Sequence, residues 1–375
     1  MTFPPEKLQT LIIKIGTSLL SGRRAFEGQV MEAVVKEICR LKHDHPMNIL
    51  IVTSGAVGCG MNTLGMTVRP ATVPLKQAVA AVGQATLMHY YETLFLTYGK
   101  GLHAAQVLLT LRDLDNRLSY LNVRNTIQTL FSMKSVIPIL NENDSTAVDQ
   151  LRFGDNDTLA ARISSKMNAS LLIILSDVDG LYDKNPSTHE SANLIEQVDN
   201  ITAQIEEYAG GAGSITATGG MITKLEAARI ASAAGVPVVI ANGHHPEVIH
   251  KVLQGTAPCT LFSASAESMS HRKRWIAFGR ATQGILHVDD GARHALVSEG
   301  RSLLPAGVVG VEGVFEVGAA VKIRDKEGRD IARALVNYSS KEIRQIKGRK
   351  STEIPAILGQ KAFDEVVHRD NLVLL

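Results

Sequence analysis

The sequence is short of the features that most quickly assign a protein to a class. It has three cysteines, Cys39, Cys59 and Cys259, far apart and in no Cys-x-x-Cys or Cys-x-x-His arrangement. That excludes a disulfide framework and a common zinc-site pattern, and a reducing, cytoplasmic setting is expected. Aromatic residues are 5% of the chain, and between Arg280 and Leu375 only Phe315, Tyr338 and Phe363 occur. A groove that stacks bases needs more of them. Charge of either sign is not in surplus: 39 Lys and Arg stand against 37 Asp and Glu. No global field attracts nucleic acid or an acidic membrane, so any bound anion must be held by local geometry. Apolar runs such as 171–175 are of strand length and far short of a bilayer span. The opening Met1-Thr-Phe-Pro-Pro-Glu-Lys lacks the design of a secretory signal. A soluble protein without a membrane partner is expected.

What is present is globular. The 375 residues are 45% apolar, enough for one large core or two domains. Buried-strand patterns fall at 11–15, 48–53, 104–109, 135–140, 171–175 and 236–241. Helical patterns fall between them at 30–41, 74–98, 116–131, 156–166 and from Met221 onward. This alternation predicts an α/β fold, a mainly parallel sheet sandwiched by helices. Ligands of such sheets bind beyond the carboxyl ends of the strands. Five of the strands end there in polar residues: Lys14 with Gly16-Thr-Ser, Ser54-Gly55, the stretch from Asn141, Ser176-Asp177, and Asn242-Gly243.

The stretch 141–157 is the densest of these. Asn-Glu-Asn-Asp-Ser-Thr is followed at residues 153–158 by Phe-Gly-Asp-Asn-Asp-Thr. Asp144, Asp155, Asp157 and their asparagines can bind an ammonium group, hold Mg²⁺ or orient neighbours. They also suit an Asx turn and a helix cap. Lys14, inside an apolar strand, either meets an anion or reaches water from an edge strand. Residues 209–220 are rich in glycine and run into the helix that begins Met221-Ile222-Thr223-Lys224. Backbone N–H groups, the helix dipole and Lys224 would suit a phosphate chain, and a plain linker is the alternative. His244 and His245 read as surface loop. From about residue 262 the texture changes to a serine-rich linker, 263–279, and then to short apolar pieces separated by glycines, a small β-rich domain at 280–360.

With Lys14-Ile-Gly-Thr-Ser, Asn-Glu-Asn-Asp, Gly-Asp-Asn-Asp and Thr-Gly-Gly-Met-x-Thr-Lys in view, the chain resembles the glutamate 5-kinase family. The resemblance covers nearly the whole chain. It implies the amino-acid kinase fold over 8–262 followed by a PUA-like domain. It implies ATP with Mg²⁺ against Lys14, Ser176, Asp177, Thr218, Gly219, Gly220, Met221, Ile222, Thr223 and Lys224, with Lys14 and Lys224 as the catalytic pair. Glutamate would meet Ser54, Asp144 and Asn156. Ser176 stands where the family often has threonine, and keeps the hydroxyl. Metal ligands stay unassigned, and Asp155 and Asp157 either orient Lys14 or hold the metal. The resemblance also implies the first step of proline biosynthesis, L-proline as inhibitor, and a homo-oligomer. Its PUA ancestry points to RNA, which the charge and the few aromatics here do not support.

Overall fold

The structure, a computed structural model, describes residues 2–20, 28–147, 155–186, 188–189, 191–210, 220–265, 282–359 and 363–375. The apolar runs become strands and the patterned stretches become helices. In order these are β1 (Thr10–Ile15), α1 (Thr17–Leu20), α2 (Gly28–Asp44), β2 (Asn48–Val52), α3 (Ala56–Thr63), α4 (Val73–Tyr98) and β3 (His103–Leu109). Next come α5 (Leu111–Asp115), α6 (Arg117–Ser132), β4 (Val136–Glu142), α7 (Asp155–Met167), β5 (Leu171–Ser176) and β6 (Gln197–Val198). The series closes with α8 (Ala203–Tyr208), α9 (Met221–Ala233), β7 (Val238–Asn242), α10 (Val248–Gln254) and β8 (Cys259–Phe262).

One sheet holds these strands in the order β3-β4-β2-β1-β5-β7-β8-β6. All neighbours from β3 through β7 pair in parallel, and only β7 with β8 is antiparallel. The carboxyl ends of β1, β2, β4, β5 and β7 therefore open on one edge. β1 lies between β2 and β5 and is buried along its whole length. That removes the edge-strand reading of Lys14, because its flanks are Val52 and Ile174. Side chains alternate across a strand. Leu11, Ile13 and Ile15 join the core with residues of α2, α4 and α10. Lys14 is thereby turned to the opposite face, where α7 packs on β1 and on α9.

β4 runs two residues further than its apolar pattern, through Asn141 and Glu142. Its neighbour β3 continues beside it, pairing Leu108 with Asn141 and Leu109 with Glu142. Asn141 is therefore buried in the sheet instead of starting a loop.

The chain divides into two compact units, Met1–Ser268 and Met269–Leu375. The second holds β9 (Gly284–Val288), α11 (Asp290–Val297), β10 (Val308–Gly313), β11 (Ala320–Arg324), β12 (Asp330–Leu335), α12 (Ser340–Ile346), α13 (Ile354–Leu358) and β13 (Leu372–Leu374). Its sheet order is β10-β9-β11-β12-β13, around a core that includes Leu286, Val321, Ile323, Ala334 and Ile343. The expected linker at 263–279 lies outside the described residues from 266 onward.

Candidate active site at the carboxyl edge of the sheet

Asp157, in the first turn of α7, is almost fully buried and joins three residues. Its Oδ1 lies 2.5 Å from Lys14 Nζ. Its Oδ2 accepts from Thr223 Oγ1 at 2.9 Å and lies 3.4 Å from Lys224 Nζ. Lys14 is 5% exposed and Lys224 is 7% exposed, so two buried ammonium groups share one carboxylate. Burial is the largest influence on Lys14 and lowers its pKa below the usual lysine value; Asp157 opposes this and Lys224 adds to it. Burial also raises Asp157, but the charges of Lys14 and Lys224, with hydrogen bonds from Lys14 and Thr223, bring it below the usual carboxylate range. Two lysines thus face one carboxylate that is held below its usual range, a setting suited to an anion.

Gly16 N–H donates to Leu175 O at 3.0 Å. A Cβ on Gly16 would lie 3.0 Å from that oxygen, tighter than ordinary contact, and 3.7 Å from Lys14 Nζ, so the lack of a side chain lets the turn run close to β5 beside the ammonium group. Met221, Ile222, Thr223 and Lys224 form the first turn of α9, with Gly220 as its cap. Thr218 and Gly219 lie outside the described residues. Ser176 closes β5, and its Oγ donates to Asp177 Oδ1 at 3.1 Å while Asp177 itself is exposed.

A second polar group lies at the ends of β2 and β4. Asn156 Nδ2 donates to Ser54 Oγ at 3.0 Å and to Asn141 Oδ1 at 3.1 Å. Asn141 Nδ2 in turn donates to Gln84 Oε1, on α4, at 2.8 Å. The same helix sends Tyr91 OH to within 2.8 Å of Thr53 Oγ1, next to Ser54. Gly55 follows with φ of 101°, a value that glycine adopts without strain. Asp144 is half-buried in the turn after β4, where Thr146 and Ala147 both donate to Asn143 O. The side chain of Asp155 lies outside the described residues.

Of the expected residues, Lys14, Thr223 and Lys224 fall into a lysine group, and Ser54 and Asn156 into an amide group. α7 links them, because Asn156 and Asp157 are adjacent. Gln84, Thr53 and Tyr91 carry no local motif that would single them out in the sequence, and Asp157 is open there between two roles. His245 lies in the loop after β7. His245 Nε2 lies 2.7 Å from Asp179 Oδ1, and Tyr182 OH donates to Asp179 Oδ2 at 3.1 Å. That ties the loops after β5 and β7 together. Among the described residues no three of His, Cys, Asp and Glu are grouped so as to hold a metal ion.

The sequence model of the amino acid kinase family matches residues 9–242. The chain belongs to the amino acid kinase family. Every site residue named above, except His245, lies within the matched amino acid kinase span, and the PUA domain model matches residues 284–358. The glutamate 5-kinase of Caldanaerobacter subterraneus subsp. tengcongensis is 46% identical over 366 residues, 97% of this chain and 97% of that one. That of Syntrophotalea carbinolica is 45% identical over 98% of each chain. That of Moorella thermoacetica is 47% identical over 99% of this chain and 97% of its own.

Proposed function

We propose that the chain transfers the γ-phosphoryl group of ATP to the side-chain carboxylate of L-glutamate. The products are ADP and L-glutamyl 5-phosphate, in the first step of proline biosynthesis. The observation that carries this reading is the pair of buried lysines on Asp157, one residue from the Asn156–Ser54 group, at the sheet edge. The full-length similarity to glutamate 5-kinases supports it.

The chemistry needs no general base. A glutamate side chain, with an unperturbed pKa of ~4.3, is already ionised at neutral pH. One carboxylate oxygen attacks the γ-phosphorus, and the bond to the β–γ bridging oxygen breaks with its electron pair going to ADP. Positioning and charge neutralisation supply the catalysis. Lys14 and Lys224 meet the charge on the transferring group, and Asp157 holds both ammonium groups toward it. The amino end of α9 and Ser176 hold the nucleotide. Ser54, Asn156 and Asp144 hold the α-amino and α-carboxylate end of glutamate.

The donor set suits a Mg²⁺ ion carried on the phosphates instead of one held in a protein cage. Mg²⁺ binds through phosphates, waters and one or two carboxylates. Asp177, the exposed carboxylate beyond β5, is the residue that would share it, and bound Mg²⁺ supplies charge neutralisation on the phosphates.

In this reading residues 8–262 are the catalytic domain and 280–360 a PUA-like domain. The protein acts in the cytoplasm; no helix among the described residues is long and apolar enough to cross a membrane. Exposed Leu75, Val82 and Leu96 along α4 support a homo-oligomer. L-proline, which has the same α-carboxylate and a secondary ammonium but no side-chain carboxylate, competes with glutamate.

The test is hydroxylamine trapping. Mg²⁺-ATP and L-glutamate should give a hydroxamate, and proline should inhibit with a pattern that excess glutamate relieves. Folded protein that forms no hydroxamate above the glutamate-free control would overturn the reading. Inhibition that glutamate cannot relieve would move proline to a separate site.

A further inference from the structure

We propose that Gln84 is a positioning residue for glutamate. Together with the backbone N–H of Glu142, it holds the polarity of the amide group that receives the substrate's α-amino acid end. The proposal rests on the kinase reading above and assigns a role to a residue remote from every sequence motif.

One backbone group orients the amides. Glu142 N–H can only donate, and it lies 2.9 Å from Asn141 Oδ1. This identifies the oxygen of Asn141, so its other terminal atom is the NH₂ group. That NH₂ lies 2.8 Å from Gln84, whose facing atom must then be the carbonyl Oε1. The oxygen of Asn141 also faces Asn156 at 3.1 Å, so the facing atom of Asn156 must be its NH₂. The same NH₂ donates to Ser54 Oγ at 3.0 Å. One backbone N–H thus fixes the orientation of three amides, and Gln84 is the acceptor that holds the NH₂ of Asn141 away from Asn156.

The consequence appears at the far end. Asn156 Oδ1 is buried and has no hydrogen-bond partner among the described residues. Ser54 Oγ, having accepted from Asn156, keeps its own hydrogen to donate. The group therefore offers one acceptor and one donor side by side. That pairing suits an ammonium and a carboxylate on neighbouring atoms. Reversing Asn156 would turn its NH₂ outward and oppose the ammonium group. Buried acceptors without partners are costly, so ligand binding is where Asn156 Oδ1 is satisfied.

The experiment compares Gln84→Met with Gln84→Glu in the full-length protein, after hydroxamate formation by the wild type with glutamate has been established. Gln84→Met removes the acceptor. It should raise the KM for glutamate roughly tenfold, with kcat and the KM for ATP little changed, as expected when a ground-state contact is lost. Gln84→Glu keeps an oxygen toward Asn141 and should recover most of that loss. Selectivity for glutamate over glutarate, which lacks the amino group, should fall in Gln84→Met and return in Gln84→Glu. A purely structural role would not change that ratio. Gln84→Leu replaces Gln84→Met if the latter does not fold. An unchanged glutamate KM, an equal rise in the KM for ATP, or a Gln84→Glu as impaired as Gln84→Met would each overturn the proposal. A wild type without glutamate activity would instead sink the kinase reading itself.

Discussion

At the scale of the residue, Asp157 is the centre of the lysine group. Lys14→Ala or Lys224→Ala should lower kcat by about 10²–10³, the usual effect of deleting one group that meets developing charge. In the proposed role Lys14 meets phosphate as an ammonium group, and its pKa in the fold is lowered, by burial first. Activity should therefore decline on the alkaline side, at a pH below the ordinary lysine value. Asp157 raises that pKa, so Asp157→Asn should move the alkaline limb to lower pH. Profiles of kcat/KM for ATP test both, and a limb that Asp157→Asn leaves in place would break the link between the two residues. Stability follows the same sign. Between the lowered pKa of Lys14 and its unfolded value, the unfolded chain binds more protons, so this group makes stability rise with pH across that window. Lys14, Ser54, Asn156 and Lys224 could be picked out in the sequence because each lies at a strand end or a helix start. The role of Asp157 could not, because it depends on which side of α7 faces β1. Gln84 lay beyond reach altogether. It sits in an Ala-rich helix, and its partner is 57 residues away.

At the scale of the element, α4 reaches the site because it crosses α3 at glycines. A Cβ on Gly83 would fall 1.8 Å from Ala56 O and 2.2 Å from Gly60 N. One on Gly60 would fall 1.9 Å from Val79 O. Backbone meets backbone here, so no side chain can yield. Gly83→Ala should destabilise the protein by about 1–3 kcal/mol, the common cost of overpacking. It should also raise the glutamate KM, because α3 begins two residues after Ser54 and α4 carries Gln84. Denaturant midpoints and glutamate kinetics would show it, and a variant normal in both would mean that the helices separate without consequence. The long elements were legible because their periodicity is set by the core they face. α5, α8 and α10 were not, since each is at most seven residues, too short to display a period. Caps were the available signal: Thr110 and Asp113 form a capping box on α5, and Thr202 caps α8. The antiparallel β8 was missed for another reason. Cys259-Thr-Leu-Phe262 is four residues with a threonine inside, too short to show an alternation or its direction.

At the scale of the whole molecule, two units with separate cores predict that nucleotide stabilises only the unit that binds it. Calorimetry with a non-hydrolysable ATP analogue and Mg²⁺ should move the transition of residues 1–265 upward and leave that of residues 282–375 in place. At free ligand 100 times its Kd the shift is worth about 2.7 kcal/mol. A single transition that moves as a whole would show that the units unfold together. The two lysines that share Asp157 add something to this linkage. Among the described residues Lys14 and Lys224 both lie on Asp157, so a phosphate bound there would offset part of the cost of burying them. ATP is then more than a reactant. If ATP binds there as proposed, it also neutralises part of the folded site, and the fraction of chains exposed to unfolding and proteolysis should rise as the adenylate supply falls.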